Sequence, residues 1–380
     1  MTAAKEIQDI ICAYEEARKQ RKQVALATVV KVEGSSYRKP GARMLITDSG
    51  QLTGSISGGC LEGDTMRKAF LVMATGKPAM ITYDTMEDEE EKPAASPGCN
   101  GIIHIWIQPL HDDDACNPVL LLKEFIARRR SAVLTTVLNA EPLSGICTGS
   151  SFLYFDGDQA NNNEPLTPFK NRVRALLGRQ SSTFIPYVIN GSACHVFVEH
   201  LDPPLAIIVV GAGNDAIPLT QVAGMLGWHI TVVDGRPGFV TSARFPQAHK
   251  LLVARAGNIL AGLHIDTQTV AVLMTHNYTY DLQTLRELAG SPIDYIGILG
   301  PRKKHNKMLS ELEQSGTFLT LEQRSKIYGP SGLDIGAESP AEIALSIISE
   351  IKKIMSGHSG MRLRDKDTAI HEHTQLSLAS

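Results

Sequence analysis

The stretch Leu205-Ala206-Ile207-Ile208-Val209-Val210-Gly211-Ala212-Gly213-Asn214-Asp215-Ala216 decides the fold of the second half of the chain. Its first six residues form a continuous apolar run, as expected for a strand buried on both faces of a parallel sheet. Two glycines then allow a tight turn, and Ala216 supplies the small third position of a dinucleotide-binding fingerprint. A helical pattern over 217–226 follows, so the stretch predicts the first strand, turn and helix of a Rossmann unit.

The residues after this helix extend the same pattern. A strand at 229–233 ends in Asp234, an acid at about the 20-residue spacing of the dinucleotide-binding fingerprint. Further strands at 270–274 and 295–299 are each followed by a helical segment. Alternation of strands and helices is typical of a parallel sheet covered by helices, so we predict a Rossmann-like domain with its crevice at the carboxyl ends of the strands.

Four residues of this predicted domain are candidate ligands of a nucleotide. Gly211 and Gly213 would let a pyrophosphate approach the backbone, and Asp234 would accept hydrogen bonds from a ribose. We therefore predict an NAD(P) site that prefers a nucleotide with a free ribose 2′-hydroxyl. Arg236 could reverse that preference by pairing with a 2′-phosphate. His276 follows the strand 270–274 at the predicted crevice, and a packed histidine is the alternative interpretation.

Two glycine-flanked cysteines lie far upstream, Cys60 in Ser57-Gly58-Gly59-Cys60-Leu61-Glu62 and Cys99 in Pro97-Gly98-Cys99-Asn100-Gly101. Glycine removes side-chain bulk, so a large rigid ligand can approach both the thiol and the neighbouring amides. Cys60, Cys99, Gly58 and Gly59 are therefore candidate binding residues.

Cys60 precedes a helical pattern, and the start of a helix favours a reactive thiolate. We predict that Cys60 and Cys99 face the Rossmann crevice from an inter-domain cleft. For Cys99 a buried structural cysteine is an equal alternative. That interpretation is preferred for the other four cysteines, Cys12, Cys116, Cys147 and Cys194.

Composition excludes several classes of protein. The chain has 380 residues, 43% of them hydrophobic and 20% charged, which is ordinary for a protein of two or three domains. The net charge of −3 provides no basic field for nucleic acid. No apolar stretch reaches eighteen residues, so no membrane association is indicated and we expect a cytoplasmic protein. Widely spaced cysteines without a Cys-x-x-Cys pair indicate reduced thiols.

Turn-forming and polar segments divide the chain. Residues 1–202 begin with an amphipathic helix and strands at 24–32 and 43–47, and they predict a mixed α/β domain with a loop or linker at 156–167. Residues 203–356 form the Rossmann-like domain. The polar residues 357–380 predict a disordered tail.

Several unusual sequence strings of this chain resemble motifs of one protein family, and they occur in the same order as in that family. They include Val32-Glu33-Gly34-Ser35-Ser36-Tyr37-Arg38-Lys39-Pro40-Gly41-Ala42-Arg43-Met44, the Cys60 string, Met274-Thr275-His276-Asn277 and Gly332-Leu333-Asp334-Ile335-Gly336-Ala337-Glu338. They resemble the XdhC/CoxI family, maturation factors for molybdenum hydroxylases, from about Val24 to Ile354. Family members often carry Gly-Cys-Gly-Gly where this chain has Gly98-Cys99-Asn100-Gly101, so no role is transferred to Asn100.

The resemblance implies a factor that binds the molybdenum cofactor and protects it while a cysteine desulfurase installs the terminal sulfido ligand. The factor then hands the cofactor to an apo xanthine dehydrogenase-type hydroxylase. Thiolates of Cys60 and Cys99 suit molybdenum, and Arg38 or Arg43 can hold a pterin phosphate. Both arginines could instead be surface cations of a hairpin. We also expect a homodimer.

Two function classes therefore remain, and the first is a cofactor-insertion chaperone without turnover. The second is an NAD(P)-dependent oxidoreductase, favoured by the glycine turn and Asp234 but lacking a recognisable proton-relay set such as Tyr-x-x-x-Lys. The ligand that co-purifies distinguishes them, since a molybdenum pterin supports the chaperone and a nicotinamide supports the enzyme.

Overall fold

A computed structural model describes residues 4–84, 101–139, 147–155, 182–189 and 192–367. The chain separates into two compact units between Pro203 and Pro204, called here the N-terminal unit and the Rossmann unit. The predicted loop at 156–167 lies outside the described residues. Of the predicted tail, residues 357–367 are described and include a short 3-10 helix at Leu363–Asp365.

The N-terminal unit begins with an antiparallel sheet of five strands in the order β3-β2-β1-β5-β4. Helix α1 packs its apolar face, which includes Ile10 and Tyr14, into a core of this unit, as its periodicity predicts. The elements are α1 (Ala4–Lys19), β1 (Val24–Gly34), β2 (Arg43–Thr47), β3 (Leu52–Gly54), α2 (Glu62–Thr75), β4 (Ala79–Asp84) and β5 (Gly101–Leu110).

A second antiparallel sheet, in the order β7-β6-β9-β8, completes the N-terminal unit. Val30 and Trp106 of the first sheet form one apolar cluster with Leu138 and Phe197 of the second, which fixes the two sheets against each other. The elements are α3 (Pro118–Arg128), β6 (Ala132–Asn139), β7 (Ser151–Phe155), β8 (Thr183–Ile189) and β9 (Ser192–Leu201).

The Rossmann unit is built on a parallel sheet in the order β12-β11-β10-β13-β14-β15, as the apolar strands predict. Strand β10 is internal, because it pairs with both β11 and β13. The elements are β10 (Ala206–Val210), α4 (Ala216–Met225), β11 (His229–Asp234), β12 (Lys250–Val253), β13 (Thr269–Leu273), α5 (Tyr278–Leu288), β14 (Tyr295–Ile298), α6 (Arg302–Gln314), α7 (Leu321–Ser325), β15 (Ile327–Tyr328) and α8 (Pro340–Ser356).

Both faces of this sheet are covered by helices. Ile207 and Val209 pack with α4 and α8 on one face, whereas Ile208 and Val210 pack with α5 and α6 on the other. The chain runs from β10 outward to β12 and then returns to β13 on the opposite side of β10. The loops that follow β10 and β13 therefore meet at a topological switch point, where sheets of this kind bind ligands.

None of the helices in the described part of the chain combines the length and the apolar character that a membrane crossing requires.

Candidate functional site

The turn that carries Cys60 is open on one side. Gly59 has a φ of +113°, and a Cβ atom at this position would meet no other heavy atom within 4 Å. At Gly58, a Cβ atom would lie 3.7 Å from the ring of Tyr37, a residue that is 67% exposed. The Cys60 side chain itself is half-buried. The glycines therefore leave space beside the thiol, and Tyr37 offers a flat aromatic surface next to it.

Ser57 organises the backbone of this turn. Its Oγ accepts hydrogen bonds from the N–H groups of Gly59 and Leu61, both at 3.2 Å, and donates to the carboxylate of Glu62. Cys60 Sγ lies 3.7 Å from the same oxygen. Because Ser57 Oγ already accepts hydrogen bonds from two N–H groups, this longer contact with sulfur is a weak third one. The structure thus places the Cys60 sulfur next to the hydroxyl oxygen that orders this turn.

Glu62 is the first residue of helix α2, and its carboxylate binds back to the residues of the turn that precede the helix. One carboxylate oxygen accepts from the Ser57 N–H at 2.9 Å and from Ser55 Oγ at 3.0 Å. Although burial opposes ionisation, hydrogen bonds from Ser57 and Ser55 hold the pKa of Glu62 below its ordinary value. The sequence analysis did not single out Ser57, although it lies in the same string as Cys60.

Arg38 and Arg43 have different surroundings. Arg38 is partly exposed and forms an ion pair with Glu6. Arg43 is only 2% exposed, and its guanidinium pairs with the equally buried Glu199 and donates to the Gly41 carbonyl at 3.0 Å. Arg43 therefore joins the two sheets of the N-terminal unit. This arrangement corrects the expectation that Arg43 holds a pterin phosphate. Its guanidinium is buried inside the protein, and its charge is paired with Glu199.

The other cysteines divide by exposure. Cys99 lies outside the described residues, so its role stays a prediction. Cys194 is buried, as predicted for a structural cysteine, and Cys116 is half-buried. The same expectation is wrong for Cys12 and Cys147, which are exposed. For Cys12 the reason is its place on α1, since the buried face of that helix is formed by other positions, Ile7, Ile10, Ile11, Tyr14 and Ala17.

In the Rossmann unit, Gly211 allows the loops after β10 and β13 to meet. Its φ is +118°, and a Cβ atom there would lie 2.6 Å from the backbone carbonyl of Met274. The Met274 N–H in turn donates to the Val210 carbonyl at 2.8 Å. Gly213 has no such neighbour, and a Cβ atom there would meet nothing within 4 Å. The first glycine thus permits close backbone packing and the second faces open space.

Asp234 ends β11 as predicted, but protein groups occupy its carboxylate. The Ala212 N–H donates to Oδ2 at 2.8 Å, and the Arg236 N–H donates to Oδ1 at 2.9 Å. The Arg236 guanidinium adds bonds of 2.9 and 2.7 Å to the two oxygens. Burial opposes ionisation, yet these bonds hold the pKa of Asp234 below its ordinary value. The structure does not support the predicted bond to a ribose, because the carboxylate is almost completely buried.

His276 lies at the switch point with its side chain 64% exposed, so the packed-histidine interpretation is wrong. Its Nε2 is 3.0 Å from Oδ2 of Asp215, the residue that precedes α4. The backbone of His276 has a φ of +58°, which costs free energy for a residue with a side chain. This conformation brings a titratable ring from the β13 loop to the carboxylate of the β10 loop.

A buried network supports the loop that carries His276. Asp281 of α5 is fully buried and accepts from Thr275 Oγ1 at 2.6 Å and from Lys304 Nζ at 2.7 Å. Lys304 also donates to the Leu299 carbonyl at 3.0 Å. Strand ends of β13 and β14 are therefore connected through one carboxylate. The sequence indicated the strand ends but not Asp281.

No group of three or more His, Cys, Asp or Glu side chains within the described ranges forms a metal site. The candidates that the structure describes in the N-terminal unit are thus Cys60 with Tyr37, Gly58 and Gly59, whereas the predicted roles of Arg38 and Cys99 stay predictions. Those in the Rossmann unit are the glycine turn and the His276–Asp215 pair. The prediction that Cys60 faces the Rossmann crevice stays a prediction.

Two family profiles match the two units. The profile described as the XdhC and CoxI family matches residues 17–84, which include the Cys60 turn. The profile described as the XdhC Rossmann domain matches residues 207–351, which include the switch point. A Bacillus subtilis (strain 168) protein, named as a probable subunit of xanthine dehydrogenase, is 30% identical over 331 residues, 87% of this chain and 93% of that protein.

The chain belongs to the XdhC and CoxI family. A second relative of this XdhC/CoxI chain is an Escherichia coli (strain K12) protein named molybdenum cofactor insertion chaperone PaoD. It is 23% identical over 339 residues, which cover 89% of this chain and 86% of that protein.

The fold of the XdhC/CoxI chain also matches a solved structure. A crystal structure from Bacillus halodurans, titled as a xanthine dehydrogenase, superposes with a TM-score of 0.68. The match covers 94% of this chain and 98% of the other at 24% identity. At this identity the likeness concerns the fold.

Proposed function

We propose that this XdhC/CoxI chain is a maturation factor for a xanthine dehydrogenase-type molybdenum hydroxylase. It binds the molybdenum cofactor as cargo, protects it while a cysteine desulfurase installs the terminal sulfido ligand, and inserts it into the apo-hydroxylase. The names of the Bacillus subtilis and Escherichia coli relatives support this role. We also propose that the factor acts as a cytoplasmic homodimer and not as a catalyst.

The observation that carries the proposal is the Cys60 turn. The thiol is held at an open glycine turn by a hydrogen bond to Ser57, and Tyr37 lies beside the open side. A soft thiolate suits molybdenum, and an aromatic face suits a flat pterin. Cys99 is a second candidate ligand.

Cofactor retention tests the role of Cys60. The full chain is purified from cells that make the molybdenum cofactor, and bound molybdenum and pterin are quantified for wild type, Cys60→Ser and Cys12→Ser. Cys12 is the matched control because it is an exposed thiol on α1, outside the buried face of that helix. We expect Cys60→Ser to retain at least about tenfold less cofactor and Cys12→Ser to match wild type. Equal retention by a folded Cys60→Ser chain would contradict the proposal.

An NAD(P)-dependent oxidoreductase is the second candidate. The open space at Gly213 and the His276–Asp215 pair at the switch point favour it, since an exposed histidine beside a carboxylate can transfer a proton. A chain that purifies with a nicotinamide nucleotide and no molybdenum would support this enzyme and displace the chaperone.

A further inference from the structure

A cluster of two arginines and one aromatic ring lies beside the glycine turn of the Rossmann unit. Arg236 Cζ is 4.1 Å from the ring centroid of Phe239, and Arg244 Cζ is 5.4 Å from the same centroid. We call these three residues the arginine cluster. Both guanidinium groups thus lie within cation–π distance of the same ring.

Arg244 gives the arginine cluster its uncompensated charge. Its Nη2 donates at 3.1 Å to the Ala212 carbonyl and at 3.1 Å to Asn214 Oδ1, both neutral acceptors. Its Nε is buried and meets no acceptor in the described part of the chain. No carboxylate of the described residues forms an ion pair with Arg244. The positive charge therefore lies directly on the glycine turn.

Arg236, unlike Arg244, is paired with a carboxylate. Its Nε and Nη2 are held by Asp234, so the direction of the guanidinium is fixed. The side chain is nevertheless 51% exposed, and its remaining N–H groups are available to a ligand. At the strand end where Asp234 was predicted to bind a ribose, the accessible charge is thus positive.

Backbone donors lie next to this charge. The N–H groups of Gly213 and Asn214 donate to no acceptor within the described residues, and they precede the ten-residue helix α4. The amino end of a helix carries a partial positive charge that favours anions. Because Gly213 has no side chain and open space beside it, an oxyanion can reach these amides.

We propose that the arginine cluster and the turn at 211–214 form a subsite for a phosphate monoester. A monoester carries about two negative charges at neutral pH and three acceptor oxygens, and this matches two guanidinium groups and two amides. The 2′-phosphate of NADPH and the terminal phosphate of a pterin cargo have this chemistry. The nucleotide preference expected from Asp234 is thereby reversed. The pterin source rests on the proposed function, and the nucleotide source does not.

Titration of the full chain with NADPH and NADH, followed by nicotinamide fluorescence, tests the nucleotide source. We expect NADPH to bind at least about tenfold more tightly than NADH. Arg236→Gln and Arg244→Gln should each weaken NADPH binding about tenfold, because each removes a charge-assisted hydrogen bond, and should change NADH binding much less. Arg286→Gln is the matched control, since Arg286 lies near the end of α5, remote from the glycine turn.

Cofactor retention by the same variants tests the pterin source. Loss of molybdenum and pterin in Arg236→Gln and Arg244→Gln, without discrimination between the nucleotides, would assign the subsite to the cargo. Arg244→Lys should keep part of the affinity, and thermal unfolding verifies that each variant is folded. Folded variants that match wild type in both assays would overturn the subsite. If Cys60→Ser alone loses cofactor and neither nucleotide is discriminated, the proposed function stands and the subsite does not.

Discussion

The backbone N–H of Ala212, in the turn after β10, donates a 2.8 Å hydrogen bond to Oδ2 of Asp234, the last residue of β11. Asp234 therefore ties the turn after β10 to the end of β11 and holds the Arg236 guanidinium with the same carboxylate. An acid at this position of a Rossmann unit is expected to contact a ribose. Here it is a positioning residue, and its removal should change stability as well as ligand preference.

Asp234→Ala should destabilise the chain by about 1–3 kcal/mol, because it leaves the Ala212 N–H without its acceptor and frees Arg236. Asp234→Asn should cost less, since its amide oxygen can still accept from Ala212. Calorimetric unfolding of the full chain measures both. Equal effects of the two substitutions would show that the bond to Ala212 contributes little.

For the buried pair of Arg43 and Glu199, removal of one partner should destabilise the fold much more than removal of both. Arg43→Met leaves a carboxylate with 2% exposure unpaired and should cost about 3–5 kcal/mol. The double variant Arg43→Met/Glu199→Leu should recover most of that loss. Denaturant unfolding of the two single variants and the double variant gives the coupling free energy. If the double variant is as unstable as Arg43→Met, the pair has another role, and cofactor retention should then be compared.

Gly211→Ala and Gly213→Ala form a matched pair within one turn. At Gly211 the added carbon would collide with the Met274 backbone at a positive φ, so we expect a loss of about 2–4 kcal/mol. At Gly213 it enters open space, so stability should change by less than about 1 kcal/mol while NADPH or cofactor binding falls. Thermal unfolding and ligand titration separate the two effects. An equally destabilised Gly213→Ala chain would mean that this glycine serves the fold.

The contribution of Glu62 to stability should depend on pH. Its folded pKa lies below the ordinary value of 4.5, so its stabilising effect is complete well above pH 4.5 and is lost as the pH falls through the folded pKa. Wild type should therefore exceed Glu62→Gln in melting temperature at pH 7, and the difference should shrink below about pH 4.5. A difference that stays constant between pH 7 and pH 3 would exclude this linkage.

Alkylation kinetics test the chemistry of Cys60 against simple exposure. At neutral pH we expect iodoacetamide to modify Cys60 before the more exposed Cys12, because Cys60 lies at the start of α2. Glu62→Gln should accelerate Cys60 further, since it removes a nearby negative charge. Asp64→Asn, in the first turn of the same helix, is the control. Faster labelling of Cys12 would show that exposure governs these thiols.

The fold of the Rossmann unit could be predicted because its signals are local. The continuous apolar run before Gly211 requires burial on both faces, and each strand end is marked by its own string. The start of α2 beside Cys60 was predicted for the same reason. Contacts that depend on distant segments could not be predicted, and Arg43 is the clearest case, since its partner Glu199 lies 156 positions away.

The environment of Asp234 shows a second limit. Its place at the end of β11 was predicted, yet the competition between a ribose and Arg236, two positions away, depends on backbone geometry that the sequence does not determine. The structure resolves that competition in favour of Arg236. Residue type and spacing thus predicted where the site lies, but not whether its accessible charge is negative or positive.

The position of β10 in its sheet also has a consequence for synthesis. Translation delivers β10 before the other strands of the Rossmann unit, and β11 can pair with it on one side soon afterwards. Its other side waits for β13, which begins only at Thr269. Nascent chains of intermediate length thus carry an entirely apolar strand with one open edge, the kind of surface that promotes aggregation on the ribosome.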